Sequence, residues 1–166
     1  MSLSLYEMTI PVFVRYLSNL ADIIEKGEGY AAEKKLDVTI LLNGKLAPDM
    51  YNFIKQVQYA YFMALEAAVK LSGRPMPKFT YDEKTLHDLQ ASLKRVIAFL
   101  KKIEPEEFSA VDEKQIETYL DTKKHYSAAH YVTLLALPNF FFHVTTAYDI
   151  LRHLGVSLGK RDYLGL

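Results

Sequence analysis

The sequence predicts an all-α protein, a four-helix bundle whose helices are joined by long crossover connections. Three observations carry this. Apolar residues recur every three to four positions along four stretches of similar length, the spacing that gives a helix one buried face. Those stretches are bounded by capping residues at their starts and by glycine or proline at their ends. The connections between them include two too long for a tight αα-hairpin, which suits crossovers.

Ser4-Leu-Tyr-Glu7 has the spacing of a capping box, and Tyr6, Ile10, Phe13, Leu17, Leu20 and Ile24 follow at helical intervals until Gly27. A first helix over 5–26 is expected, kinked at Pro11 by the missing N–H and the ring clash. In the connection 27–48, "LDVTILLNG" suits one short helical segment begun by Asp37 and stopped by Asn43-Gly44. The second helix, Asp49 to Ser72, carries Met50, Phe53, Val57, Ala60, Ala64, Ala67 and Leu71 on one face, and Gly73 ends it. Its alanines allow a neighbouring helix to come close. Thr80-Tyr-Asp-Glu83 has the form of a second capping box, and the stripe from Leu86 to Ile103 places a third helix over 81–103, stopped by Pro105. Over 105–126, "KQIETYL" and "KKHY" can pair as a small hairpin around Asp121-Thr122, or the first can be a short helix. Ser127 caps a fourth helix running to His153, kinked at Pro138 and ended by Gly155.

Composition narrows the function classes. Half of the 166 residues are hydrophobic, enough to bury one core and too few to divide comfortably, so one domain over 1–166 is expected. Lys plus Arg (20) balance Asp plus Glu (20), which leaves no cationic excess for a phosphate backbone or an anionic lipid surface. Nucleic acid and membrane are therefore not expected partners. Cysteine is absent, which excludes disulfides, thiol nucleophiles and thiolate metal sites and agrees with a cytoplasmic location. The longest nearly apolar run, Val132 to Phe142, is too short to span a bilayer. No phosphate loop, dinucleotide glycine pattern, HExxH or GxSxG occurs.

The candidate site lies in "LPNFFFHVTTAYDILRHLG", Leu137 to Gly155, where polar residues interrupt the most aromatic part of the chain. At 100° per residue Phe140, Val144, Ala147, Leu151 and Leu154 share an arc with Ile150 at its edge, and His143 falls between Ile150 and Leu154, pointing at the core. Asn139, Thr146 and His153 occupy the adjoining arc and form a polar seam. His143 and His153 stand ten residues apart, about 15 Å along the axis, and cannot both reach one ion. The pairs Asn139/His143 and Asp149/His153, at i and i+4, can face one another. Asparagine is a poor ligand for borderline metals, and the second pair lacks a further donor, so no metal cofactor is assigned; if a divalent metal binds, His143 is its ligand. The plainer readings are a hydrogen-bonded core histidine for His143 and a favourable interaction of His153 with the helix C-terminal dipole. On the second helix, Gln56 and Asn52 border the apolar face, so that an amide can reach His143 or a ligand across the bundle. Asp49 is a cap or dipole partner. His87, His125 and His130 carry no assigned role.

The stretches "YLSNLADII", "LAPDMYNFIKQVQYA" and "LPNFFFHVTTAYDILRHLGVSLGKRDYLG" together resemble a family of uncharacterised proteins within the DinB-like metalloenzyme superfamily. The resemblance covers most of the chain and is most specific from Leu137 to Gly165. It implies a DinB-like four-helix bundle, commonly dimeric, with an intrabundle cleft. Metal-binding members of the superfamily resemble one another in a histidine from the second helix and an HxxxH pair on the fourth. Here the second helix has no histidine, Ala147 stands four residues after His143, and His143 alone aligns with that pattern.

The expected function is binding of a small molecule in a cleft bordered by the second and fourth helices, with His143, Asn139, Thr146, His153, Gln56 and Asn52 as candidate ligand-binding residues. The alternatives are an enzyme that is metal-dependent or uses His143 as general base, and a structural homodimer without a ligand.

Overall fold

The computed structural model describes residues 3–109, 111, 115–118 and 121–166, with the backbone alone at 121–123. The elements are α1 (Leu5–Lys34), α2 (Val38–Asn43), α3 (Phe53–Ser72), α4 (Leu86–Leu100), β1 (Gln115–Thr118), β2 (Asp121–Ser127), α5 (Ala128–Tyr131), α6 (Leu137–His153) and α7 (Lys160–Leu164). A 3-10 turn covers Pro105–Phe108, and a π-helical segment, Val132–Ala136, joins α5 to α6. The chain is mainly helical. Among the described residues the only sheet is the antiparallel pair β1-β2. Of the two alternatives for 105–126 a hairpin is found, but Thr118 stands opposite Asp121, so Asp121 and Thr122 belong to β2 and not to the turn expected there; residues 119 and 120 lie outside the described ones.

Most starts follow the capping chemistry. Ser4 and Glu7 close a capping box at α1, Asp37 Oδ1 accepts from Thr39 N at 2.9 Å to begin α2, and Ser127 Oγ accepts from His130 N ahead of α5. α6 ends in a Schellman arrangement: Gly155, with φ +95°, donates to Arg152 O, and Val156 N donates to Leu151 O.

Four boundaries differ from expectation, each for a physical reason. α1 runs past Gly27 to Lys34 because Gly27 is a packing glycine; a Cβ there would stand 3.3 Å from Leu151 Cδ1 on α6. α3 begins at Phe53, since Asn52, not Asp49, caps it by accepting from Lys55 N at 3.1 Å. α4 begins at Leu86 because the working capping box is Thr85 with Asp88; the Glu83 carboxylate is directed inward instead. Ahead of Pro138 the helix widens into the π segment, where Leu137 N reaches back to Val132 O, which gives the proline ring room. Pro11 stands in the second turn of α1, which continues on both sides of it.

The buried apolar side chains form one cluster. α3 is the central element, packed against α6, α4, α1 and α2, while α1 also packs on α4, α6 and α7. Phe13 of α1 meets Phe140 of α6 edge to face at 4.8 Å between centroids. α7 is pinned to α1 by Asn19 Nδ2 and Arg15, which donate to the carbonyls of Tyr163 and Leu164, and by the Lys26–Asp162 ion pair. No helix is long and apolar enough to cross a membrane, among the described residues.

Candidate functional site

His143 lies on the inner face of α6 and is 7% exposed. Its Nδ1 stands 2.7 Å from Oε1 of Gln56 on α3, itself 1% exposed. The amide orientation fixes the tautomer. Gln56 Nε2 donates to Tyr51 O at 3.3 Å, so its oxygen faces the imidazole and Nδ1 must carry the proton. The ring is also held by stacking on Tyr59 at 5.2 Å and by the edge of Phe142. Tyr59 stacks in turn on Tyr51 at 4.9 Å.

Burial without a compensating anion pushes the His143 imidazole down to about 4, so it is neutral at ordinary pH. Nε2 then bears a lone pair. It has no hydrogen-bond partner among the described residues, and it is not among the fully buried unsatisfied atoms, so it keeps access to solvent. The result is an oriented, uncharged acceptor at the border of α3 and α6.

The remaining candidates divide. Asn139, one turn before His143, is half-buried and donates through Nδ2 to Met63 Sδ at 2.9 Å. Thr146, buried, spends its hydroxyl proton on Phe142 O at 2.7 Å. Asn52 belongs to the cap of α3, with a long contact to Asn43 at 3.4 Å. His153 is exposed in the last turn of α6. Asp149, whose carboxyl is raised by burial, lines a cleft of about 220 Å³ with Thr145, Tyr148, Lys160 and Tyr163.

A divalent metal of the superfamily kind needs several donors around His143, and the donors do not fit. The facing α3 side chain is Gln56, whose oxygen already takes the Nδ1 proton, and Ala147 stands one turn after His143. Among the described residues no three His, Asp or Glu side chains come together.

A second polar cluster, which no sequence pattern marks, surrounds Glu83. Glu83 accepts from Tyr61 Oη (2.8 Å), Ser92 Oγ (2.5 Å) and Gln58 Nε2 (2.8 Å). Burial alone would raise its carboxyl, but the bonds from Ser92, its own backbone, Gln58 and Tyr61 outweigh that and hold it below the usual range. Beside it, Lys55, Gln58, Tyr59, Phe62 and Tyr81 line a cleft of about 210 Å³. Of the run "QVQYAYF", Gln56 to Phe62, the expected apolar face holds only Val57 and Ala60, so no pattern marks Gln58 as buried.

A crystal structure, at 1.83 Å resolution, of a DinB family member protein from Shewanella denitrificans is similar to this chain, with 38% identity and a TM-score of 0.93 over 98% of this chain and 92% of that one. No curated protein matches. The family described as "Domain of unknown function (DUF1993)" matches residues 5–164, nearly the whole length, and the chain belongs to it.

Proposed function

We propose that the chain binds a small molecule at the border of α3 and α6, with His143 Nε2 accepting a hydrogen bond from the ligand. The observation that carries this reading is the His143–Gln56 pair: a buried imidazole locked in one tautomer, neutral, with its second nitrogen open. Gln56 orients the ring, as outer partners orient catalytic and metal-bound imidazoles. Tyr59 and Phe142 hold it in place, and Asn139 extends the polar strip by one turn. The reading takes α1, α3, α4 and α6 as a four-helix bundle with crossover connections, one domain in all.

The same pair argues against general-base catalysis. An imidazole whose conjugate acid ionises at about 4 is a weak base near neutral pH, where proton abstraction works best with a group matched to the operating pH. Accepting a hydrogen bond makes no such demand.

A thermal-shift screen of a metabolite library against wild type and His143→Phe tests the reading. A compound that raises the melting temperature of wild type and not of His143→Phe supports it. Compounds that stabilise both proteins equally would place binding elsewhere. The same reading has the chain as a cytoplasmic homodimer, the dimer being what the superfamily resemblance implies, with the exposed Leu134 and Phe142 of the π segment and α6 available to a second copy. Sedimentation showing only monomer at micromolar concentration would remove the dimer and leave the ligand site standing.

A further inference from the structure

We infer that the cleft between α6 and α7 is a second binding site, for a free amino acid with an apolar side chain, its ammonium held by Asp149 and its carboxylate by Lys160.

The two charges come first. Asp149 on α6 and Lys160 at the start of α7 line one cleft, yet no ion pair joins them, and neither has a hydrogen bond or counter-ion among the described residues. Lys160 finds no anion on its own helix either. Asp162 is occupied by Lys26 and by the Gly159 N–H, from which it accepts at 2.7 Å. The Asp149 carboxyl is partly exposed, and burial raises it with no donor to offset the effect. Burial also raises the Tyr163 phenol, and the Asp149 charge adds to that, so the carboxylate stands on the side of α6 that faces α7. An anion partly stripped of water and unpaired is a strong acceptor for an ammonium group.

The rest of the cleft suits what lies between those charges. Thr145 stands one turn before Asp149 on the same face of α6, and its hydroxyl lies 2.9 Å from Tyr163 Oη. One hydrogen bond between two hydroxyls leaves lone pairs on both, so they add acceptors beside the carboxylate for an ammonium with three protons to give. The rings of Tyr148 and Tyr163, edge to face at 5.8 Å, supply an apolar wall. Tyr163 is held in place: its ring also packs against Tyr16 at 5.4 Å, and its carbonyl accepts from Asn19 Nδ2 at 2.9 Å. The cleft is thus preformed, and about 220 Å³ admits one small molecule. An amine alone would set a second positive charge against Lys160, and a carboxylate alone a second negative charge against Asp149. A zwitterion meets both. The site shares no lining residue with the His143–Gln56 pair and stands or falls separately from it.

The probes are L-phenylalanine, 2-phenylethylamine, which lacks the carboxylate, and 3-phenylpropanoate, which lacks the ammonium, titrated into the full chain at neutral pH with two-dimensional NMR detection. The expected result is saturable shifts at Thr145, Tyr148, Asp149 and Tyr163 with L-phenylalanine, and affinity at least about tenfold weaker for the other two, a factor worth about 1.4 kcal/mol. In Lys160→Gln, L-phenylalanine should bind no better than 2-phenylethylamine. In Asp149→Asn it should bind no better than 3-phenylpropanoate. His143→Phe should leave the order and the affinities unchanged. Equal affinity for all three probes on wild type would overturn the proposal without any variant having to fold. So would shifts confined to other residues, or no binding at millimolar concentration, which would mean that Lys160 closes on Asp149 in solution.

Discussion

Lowering the pH should destabilise the fold through His143 by a calculable amount. Its folded-state value, about 4, lies below the ordinary 6.5, so on acidification the unfolded chain takes the proton first. The contribution to stability is therefore complete above the unfolded value and is lost as pH falls from there towards about 4. Integrating the linkage from about pH 7 to about pH 5 gives a loss on the order of 2 kcal/mol, a large share of the margin of a small domain. Urea unfolding of wild type and His143→Phe across this range isolates the term. Phenylalanine keeps a ring against Tyr59 and Phe142 and removes the titration, while the carboxylates titrate alike in both proteins. The variant should be less pH-dependent by that amount, even if it is less stable near neutrality because Gln56 Oε1 has lost its donor. Parallel pH profiles for the two proteins would refute the argument. So would an NMR titration of the His143 ring with its midpoint near 6.5.

Three further outcomes follow from the same contacts. Gln56→Leu leaves the Nδ1 proton without an acceptor and should cost about 1–3 kcal/mol in urea unfolding, whereas an unchanged midpoint would mean that the pair contributes no net stability. Gly155→Ala forces a Cβ onto a residue with φ +95° and to within 2.7 Å of the Tyr30 hydroxyl, so a loss of about 1–3 kcal/mol is expected by thermal unfolding; a loss of only a few tenths would count against the Schellman ending of α6. Purified protein should carry no stoichiometric transition metal by elemental analysis, and about one zinc or nickel per chain, lost in His143→Ala, would reverse the order of the functional readings.

The long helices were legible because each buries one stripe against its neighbours, and burial of a stripe writes a 3.6-residue period into the sequence. Their ends were less so. Gly27 has the composition of a stop but serves as a contact surface for Leu151, and Thr80 to Glu83 has the spacing of a capping box although Glu83 turns inward. In both cases a residue type that usually serves the local backbone is used by another element, and no local pattern records that.

The same distinction separates the two polar clusters. His143 could be found because α6 obeys its period: a polar residue on the arc of Phe140 and Val144 must be buried, and a buried imidazole needs a partner, which the facing helix supplies in Gln56. Gln58 could not. α3 is packed by neighbours on several sides, so its buried residues include Gln56, Val57, Gln58, Ala60 and Tyr61, and no stripe distinguishes inside from outside. What covers Gln58 is the irregular segment around Tyr81 and Glu83, whose path depends on one left-handed residue and a carboxylate anchored by α3 and α4. A site made by a period can be read from a helical wheel. A cluster made by a loop folding over a helix exists only once the carboxylate and the amide have found each other, and it is visible in three dimensions alone.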